Sequence, residues 1–551
     1  MTLRPLSATF RIAALGLALG AAGHVHAMTD AELAAIIDQR LAGDRTGACL
    51  AVAVIEPDRV ARAWRCADVG DVARIGPDVA FEIGSIAKTM TATLLADLIG
   101  KGEASLDDPL ADHLPEGTQV PDYDGQPILL RHVVTHTSGL PALPSRMNVT
   151  DPRDPYVNLD ADALLASLAD VDLTHAPGEQ YAYSNFASML LSYALARRAG
   201  ADFESLIDDK LFTPLGMEGA YVARPPERVR PAQGHTPDTK TTPSWTIATD
   251  LAGVGGVRAT LDDMVHYVQA QLGLRASPLA KAIALTQQPV ATDAASRMGM
   301  NWIIAPLDGR DIHLHGGGTG GFSSLVAFDR QRQRGAVVLS DTSLTSLGGL
   351  QDIGLHLIDP EQPLGEPRKA ARAPDELLEA LQGDYTLQGG MTMRLQRQGE
   401  GLVARVPGQP EFALAYDSAG DFYPLEHDAA LTPRRGKDGS YGFLWKQSGA
   451  VFPAVRVEAT TSAPSAAPLP LDDYLGEYPL MRGFELHVRE HDGVLHAQAT
   501  GQGEFALERT STDVFEAPAY GIEIRFVRDD AGKVASLELH QAGQVLRGDR
   551  R

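Results

Sequence analysis

Long hydrophobic runs and cysteines are scarce in this chain of 551 residues. After residue 27, no apolar run is long enough to span a bilayer, which excludes further membrane spans. The chain has only two cysteines, and neither directly follows residue 27, so a lipid anchor at that point is excluded as well.

Basic side chains are also few, with 48 lysines and arginines against 71 aspartates and glutamates and a formal net charge of -23. Such a field repels phosphate backbones and anionic lipids. The chain is therefore not expected to bind nucleic acid or a membrane surface. Its length favours two or three domains over one.

The first 27 residues have the pattern of a signal peptide. Arg4 and Arg11 precede a short apolar run at residues 12–22, and a small-residue pattern follows that ends at Ala27. The alternative is an uncleaved anchor, but the apolar run is too short to span a bilayer comfortably. We therefore predict cleavage after Ala27, a periplasmic or secreted protein, and no stable membrane insertion afterwards.

The two cysteines lie in a predicted β-hairpin. Residues 49–55 read as a buried strand, residues 57–58 as a turn, and residues 60–64 as the returning strand. A two-residue loop would place Cys49 opposite Cys66, and an oxidising compartment would let them pair. A disulfide and two free, buried thiols both remain open.

The pattern over residues 28–366 predicts one α/β domain. Residues 84–275 are mostly helical, and strand patterns return at residues 311–314, 322–328 and 335–339. A final helix is predicted at residues 346–358. Because strands lie at both ends with helices between them, we expect the two ends to meet in one sheet.

A duplicated module follows this domain, after a proline-rich linker at residues 359–374. Short alternating runs predict a small antiparallel β-barrel or sandwich in each copy, at residues 375–458 and 469–551, with a second linker at residues 460–470. The matched segments are residues 383–387 and 476–480, 408–414 and 501–507, and 447–449 and 541–543.

The only S-x-x-K motif in the chain places Ser85 and Lys88 at the start of a predicted amphipathic helix. Residues three apart on a helix project together, so the lysine amine can reach the serine hydroxyl. A desolvated lysine can act as the base that a serine nucleophile needs. Any serine and lysine at a helix start would give the same pattern, so the motif alone is weak.

Two further segments carry chemistry. Tyr183 could shuttle a proton and Asn185 could hold a substrate amide, although Ser184 or Asn185 could instead simply cap a helix. Residues 315–322 form a glycine-rich strand and turn whose N–H groups could make an oxyanion hole, although a plain turn would look the same.

Together, in this order and spacing, the three elements resemble the serine β-lactamase and penicillin-recognising hydrolase family. The resemblance is nearest to the branch of class C β-lactamases, D-aminopeptidases and esterases. It covers about residues 30–358 and implies an antiparallel sheet with flanking helices and a helical subdomain. The C-terminal copies resemble the β-barrel modules of D-aminopeptidase-like members. Further similar stretches are residues 106–109, 135–141, 214–217 and 253–256.

The resemblance implies a role for each matching residue. Ser85 would form an acyl-enzyme, and Lys88 and Tyr183 would share general-base and general-acid work. Asn185 would orient the substrate, and the N–H groups of Ser85 and Gly318 would bind the oxyanion. This chemistry implies neither a metal nor an organic cofactor.

The chain departs from the family at one position. Class C β-lactamases typically carry K-T-G where this chain has His315, Gly316 and Gly317. Without the fixed charge of a lysine, carboxylate recognition should weaken. We therefore predict a hydrolase of small esters, amides or short peptides, with D-amino acid peptides among the candidates. The alternatives are a true β-lactamase or D,D-peptidase, and a non-hydrolytic binding protein.

Two other features are predicted to be structural. Histidines such as His132 and His136 are expected to be structural or solvated, not catalytic. The C-terminal copies are expected to act as packing modules, although the family resemblance also allows a loop from one barrel to reach the Ser85 cleft and limit substrate size. The sequence does not predict the oligomeric state.

Overall fold

The computed structural model describes residues 27–551 with short gaps at positions 45, 238, 293–296, 345–348, 368–370, 388–391, 407–410, 425–428, 437–438, 448–449, 458–469, 482–483, 492, 501–503, 518–521, 530 and 542–543. Residues 1–26 of the predicted signal peptide lie outside the described residues. So do parts of the predicted repeats and linkers and the start of the predicted helix at residues 346–358.

The first domain contains ten α-helices and fifteen β-strands among its described residues. The helices are α1 (Asp30–Leu41), α2 (Ile86–Gly100), α3 (Leu130–Val134), α4 (Ala161–Ala166), α5 (Asn185–Ala199), α6 (Phe203–Ile207), α7 (Thr213–Leu215), α8 (Leu261–Leu272), α9 (Ala280–Thr286) and α10 (Gln351–Ile358). The strands are β1 (Cys49–Ile55), β2 (Val60–Cys66), β3 (Val79–Glu82), β4 (Asp122–Tyr123), β5 (Gln126–Pro127), β6 (Arg230–Pro231), β7 (Gly234–His235), β8 (Thr241–Thr242), β9 (Arg258–Thr260), β10 (Ala291–Thr292), β11 (Arg297–Met298), β12 (Ile303–Leu307), β13 (Arg310–Gly318), β14 (Ser323–Asp329) and β15 (Arg334–Ser340).

Eight of these strands form one antiparallel sheet in the order β10-β11-β12-β13-β14-β15-β1-β2. Strand β1 pairs with both β15 and β2, so the two ends of the domain meet in this sheet, which confirms the predicted α/β architecture. The β1–β2 register sets Cys49 opposite Cys66, and these two residues form a disulfide.

Strand β1 is buried on both faces, and alternate residues enter different cores. Cys49, Ala51, Ala53 and Ile55 join the core that contains helices α2, α5 and α8. The intervening residues 50, 52 and 54 join a second core that contains α1 and α10. The sheet is therefore covered by helices on both faces, and α2, which follows Ser85, lies inside the larger core.

The interpretation of α2 as an amphipathic helix is wrong. All eleven residues from 86 to 96 are buried, including Lys88, so the helix has no solvent-facing side along this length. Segments from far along the chain enclose it: the Asn301 side chain donates to the Lys88 carbonyl at 3.2 Å, and the Lys88 amine donates to the Val254 carbonyl at 2.7 Å. A helix enclosed on every side belongs to the core of a large domain.

The two C-terminal modules are both eight-stranded and antiparallel. Strand β16 pairs with β23 to close the first barrel. In the second module the amide of Arg551 donates to the carbonyl of Glu477, which brings the last strand back to the first. Helix α11 (Asp375–Leu381) precedes strands β16 (Gly383–Leu387), β17 (Thr392–Gln398), β18 (Gly401–Arg405), β19 (Phe412–Tyr416), β20 (Phe422–Pro424), β21 (Ala429–Arg435), β22 (Tyr441–Gln447) and β23 (Ala450–Arg456). The second module contains β24 (Gly476–Met481), β25 (Phe484–His491), β26 (Val494–Ala499), β27 (Glu504–Ser511), β28 (Val514–Ala517), β29 (Ile522–Arg528), β30 (Val534–Gln541) and β31 (Gln544–Asp549).

The same tyrosine contact recurs in both modules. The hydroxyl of Tyr385 donates to the carbonyl of Leu381 at 2.9 Å, and the hydroxyl of Tyr478 donates to the carbonyl of Tyr474 at 2.8 Å. These tyrosines lie in the matched segments 383–387 and 476–480. The shared contact supports the duplication that the sequence indicates.

An arginine from the end of each module bonds to the same segment of backbone as this tyrosine. Arg456 donates to the carbonyl of Ala380 at 2.7 Å in the first module. Arg550 donates to the carbonyl of Asp473 at 2.9 Å in the second. In both modules a guanidinium therefore satisfies backbone carbonyls of the segment that leads into the first strand.

Candidate active site

Glycines bring the two walls of the cleft together. Ser85 lies between β3 and α2, directly after Gly84, whose φ of +49° favours glycine. A Cβ at Gly84 would lie 2.7 Å from the amide nitrogen of Gly318. A Cβ at Gly317 would lie 2.1 Å from the carbonyl oxygen of Ile83. Both glycines are thus required for β13 to pack against the turn that carries Ser85.

The hydroxyl of Ser85 contacts both predicted proton carriers. The Lys88 amine donates to Ser85 Oγ at 2.9 Å, and the Tyr183 hydroxyl donates to the same oxygen at 2.8 Å. Lys88 Nζ also lies 5.0 Å from the centre of the Tyr183 ring. The structure therefore brings together three residues that are up to 98 positions apart in sequence.

Burial changes the protonation of both partners. Lys88 is 1% exposed, and this burial lowers the pKa of its amine well below the ordinary lysine value of 10.5. Burial raises the pKa of the Tyr183 hydroxyl well above its ordinary value of 10.0, although its hydrogen bond with Ser85 opposes that shift. Because the lowered pKa favours the neutral form of the amine, Lys88 can accept the Ser85 proton.

Asn185 is the first residue of α5 and is held by its neighbours. Ser184 caps the helix, because its hydroxyl accepts from the amide of Ala187 at 3.0 Å. The backbone amide of Asn185 donates to the carbonyl of Ala142. The Asn185 side chain hydrogen-bonds the Tyr156 hydroxyl. Burial raises the pKa of Tyr156, and this hydrogen bond opposes part of the rise. Tyr156 lies in none of the sequence motifs described above.

His136 contacts the Tyr183 ring and bonds to the backbone on both sides of Tyr183. Its carbonyl accepts from the amide of Ala182, and its Nδ1 accepts from the amide of Ser184 at 3.3 Å, so the amides on both sides of Tyr183 bond to one residue. Its ring lies 4.2 Å from the Tyr183 ring, centre to centre. The left-handed φ of +56° at His136 accompanies this arrangement.

His136 is fully buried, as the expectation of a structural histidine allows, yet it contacts the cleft. Burial, and then repulsion from the protonated forms of Lys88 and His315, lower the pKa of His136 well below 6.5, so its ring is neutral at physiological pH. In the part of the chain that the structure describes, no group hydrogen-bonds its Nε2. The signal that could have found it is its place in the stretch 135–141, which already carried the family resemblance.

His315 lies on β13 and is neutral at physiological pH. Burial, and then repulsion from the protonated form of Lys88, lower the pKa of His315 to about 4. Its Nδ1 lies 2.6 Å from the carbonyl oxygen of Gly316, so this nitrogen carries the ring proton. The position that is a lysine in K-T-G therefore supplies no fixed positive charge here.

Comparison with known proteins identifies the first domain. The family described as Beta-lactamase matches residues 33–353, more than half of the chain and all of the cleft described above. The chain belongs to the β-lactamase family. A second family, a domain of unknown function (DUF3471), matches residues 460–550, which include the second barrel.

Relatives of this β-lactamase family member include several serine hydrolases, and the chain is itself a serine hydrolase of this type. It is 31% identical to the D-alanyl-D-alanine-carboxypeptidase/endopeptidase AmpH of Escherichia coli K12, over 55% of this chain and 82% of that protein. It is 27% identical to Esterase EstB of Burkholderia gladioli, over 59% of this chain and 93% of that protein.

One solved structure shares the fold over a larger part of the chain than these two relatives match. The octameric penicillin-binding protein homologue from Pyrococcus abyssi superposes with a TM-score of 0.51 at 18% identity, over 85% of this β-lactamase family chain and 98% of that chain. Within the described residues, none of the helices has the length and apolar character that crossing a membrane requires.

Proposed function

We propose that the protein is an exported serine hydrolase that cleaves esters or amides through an acyl-enzyme on Ser85. The observation that carries this proposal is the shared contact at Ser85 Oγ, which lies 2.9 Å from the Lys88 amine and 2.8 Å from the Tyr183 hydroxyl. A serine hydroxyl becomes nucleophilic when a positioned base takes its proton.

In the first step, Lys88 and Tyr183 share the proton that leaves Ser85 while Oγ bonds to the substrate carbonyl carbon. The carbonyl electron pair moves to oxygen and gives a tetrahedral intermediate. When this intermediate collapses, the bond to the alcohol or amine breaks, and the leaving group takes a proton from the same pair of residues. Water then repeats the sequence on the acyl-enzyme and releases the acid.

The remaining cleft residues have supporting roles in this proposal. The N–H groups of Ser85 and Gly318 bind the oxyanion, which agrees with the close approach of the Gly318 amide to the Gly84 turn. Asn185 orients the substrate. Gly317 permits the packing that sets the distance between the two N–H groups.

The substrate class follows from the charge at residue 315. A histidine with a pKa of about 4 offers no cation to a substrate carboxylate at neutral pH. We therefore propose uncharged esters, amides or short peptides as substrates, with D-amino acid peptides among them. The resemblance to Esterase EstB supports the ester part of this proposal.

A second candidate function is D,D-peptidase or β-lactamase activity. The resemblance to AmpH, named a D-alanyl-D-alanine-carboxypeptidase/endopeptidase, favours this candidate. It requires the cleft to bind a carboxylate without a lysine at residue 315.

A rate assay with residues 28–551 and its Ser85→Ala variant tests both candidates. The substrates are p-nitrophenyl acetate and butyrate, D-alanine p-nitroanilide, and nitrocefin. We expect Ser85-dependent turnover of the esters or the D-anilide with little on nitrocefin. Fast nitrocefin hydrolysis would instead identify a β-lactamase, and failure of Ser85 to react with an activated fluorophosphonate would contradict the acyl-enzyme.

The proposal also includes the domain limits and the compartment. The signal peptide comprises residues 1–27, the catalytic domain residues 28–366, and the barrels residues 375–458 and 469–551. Export to the periplasm or the medium rests on the signal pattern in the sequence.

A further inference from the structure

The backbone nitrogen of Met28 contacts a carboxylate far along the chain. Met28 N donates to Glu56 Oε2 at 2.9 Å, and Glu56 lies in the turn between β1 and β2. The other oxygen of the same carboxylate, Oε1, lies 2.6 Å from Arg334 Nη1, and both of these side chains are only 12% exposed. Each oxygen of one largely buried carboxylate thus has its own donor.

The Met28 nitrogen is also the atom that cleavage after Ala27 would expose. Hydrolysis of the bond between residues 27 and 28 consumes one water, leaves a carboxylate on Ala27, and leaves an ammonium on Met28. We propose that this bond is the processing site and that the carboxylate of Glu56 binds the new α-ammonium. The inference does not rest on the proposed hydrolase activity.

The geometry needs no rearrangement to accept the new charge. Thr29 caps α1 and Glu32 completes a capping box with it, so the chain is fixed directly after Met28. The Met28 side chain packs against the core that contains α1. Cleavage therefore converts a neutral amide donor into a cation at the same place, and a hydrogen bond between ionised partners is stronger than one from an amide.

The positive charge of Arg334 weakens the expected stabilisation by repelling the new ammonium, because both cations bind the Glu56 carboxylate. The two cations contact different oxygens, which limits their repulsion. The ion pair would stabilise the mature chain relative to a chain that still carries residue 27.

The intact mass of the exported protein tests the processing site. Expressed with its own leader and recovered from the periplasm or medium, the chain is expected to begin at Met28. A chain that begins at any other residue would overturn the inference.

A four-protein thermal unfolding cycle tests the ion pair. Two fusions are cleaved to leave either Met28 or Ala27 as the first residue, each with Glu56 or with Glu56→Gln. We expect the Met28 chain to have a Tm about 1–3 °C above the Ala27 chain when Glu56 is present. The difference should vanish with Glu56→Gln, whose loss of the Arg334 pair is common to both chains and cancels in the cycle.

Equal Tm values for the two Glu56 chains would refute the ion pair, and so would a difference that survives Glu56→Gln. Ester hydrolysis by all four proteins serves as a control for folding, because Glu56 and Met28 lie outside the cleft. A loss of hydrolysis confined to Ser85→Ala would leave this inference unaffected.

Discussion

The catalytic domain and the barrels use buried polar side chains differently. Around Ser85, burial lowers the pKa values of Lys88, His136 and His315. In the barrels, the hydroxyls of Tyr385 and Tyr478 instead donate to backbone carbonyls within cores of apolar and aromatic side chains. Buried polar groups stabilise a chain segment in the barrels, whereas at the cleft burial shifts their pKa values at a cost in stability.

The largest effect is expected from removal of the Lys88 amine, which should lower activity without lowering stability. In Lys88→Met, kcat/KM for p-nitrophenyl acetate should fall about 10²–10⁴-fold, because the proposed base is lost. The Tm should stay constant or rise, since an apolar side chain of similar length replaces a buried amine.

Lys101→Met is the matched control, because Lys101 is at the end of the same helix and pairs with Asp97 at the surface. It should change neither quantity appreciably. If Lys88→Met kept its activity, or if its Tm fell as far as a core cavity would cause, the contrast between cleft and barrels would not hold.

Substitutions at His136 should affect turnover through Tyr183. His136→Phe keeps a ring but leaves the amide of Ser184 without its acceptor, and a displaced Tyr183 should lower kcat about 10²-fold. His136→Asn keeps an acceptor and tolerates the left-handed backbone, so kcat should stay within about tenfold of the wild type. Single-turnover acylation, kcat and KM distinguish the two.

His132→Phe is the control for a merely structural loss. The Nδ1 of His132 accepts from the amide of Leu129, which is the same kind of bond at a residue outside the proposed catalytic group. It should lower stability with little change in kcat. Wild-type acylation by His136→Phe would mean that His136 does not position Tyr183.

The pH dependence of hydrolysis should report the lowered pKa of Lys88. If neutral Lys88 is the base, kcat/KM for a neutral ester rises with pH along a limb centred well below 10.5. Protonation of His315, with its pKa of about 4, adds a charge beside Lys88 and should steepen the acid side.

The profile is measured from pH 4 to 10 for the wild type and for His315→Gln. The variant should lose the inflection near pH 4 and keep the Lys88 limb. A limb centred near 10.5 would contradict a desolvated lysine base.

Local patterns in the sequence predicted the elements that depend on neighbours in the chain. The spacing of Ser85 and Lys88 predicted their contact, and the hairpin pattern predicted that Cys49 faces Cys66. The amphipathic interpretation of α2 failed because the residues that enclose the helix, such as Asn301, are distant in sequence. The His136 contacts could not be predicted from local patterns either, because the amides that bond to it belong to Ala182 and Ser184, which are distant in sequence.

The smallest change in stability is expected for substitutions in the barrels. These substitutions also test whether the barrels influence hydrolysis in the Ser85 cleft. Tyr385→Phe and Tyr478→Phe each remove one buried hydroxyl bond to a carbonyl, and each should lower the free energy of unfolding of its barrel by about 1 kcal/mol. Because these hydroxyls bond only within their own module among the contacts above, kcat/KM should be unchanged for both acetate and butyrate esters.

A changed acetate-to-butyrate ratio in either variant would mean that a barrel reaches the cleft and limits substrate size. Truncation after residue 366 extends the test, with bulky and small esters compared in the shortened chain. An unchanged preference there would argue against gating and leave the barrels as packing modules, because a loop that narrows the cleft must alter the ratio when it is removed.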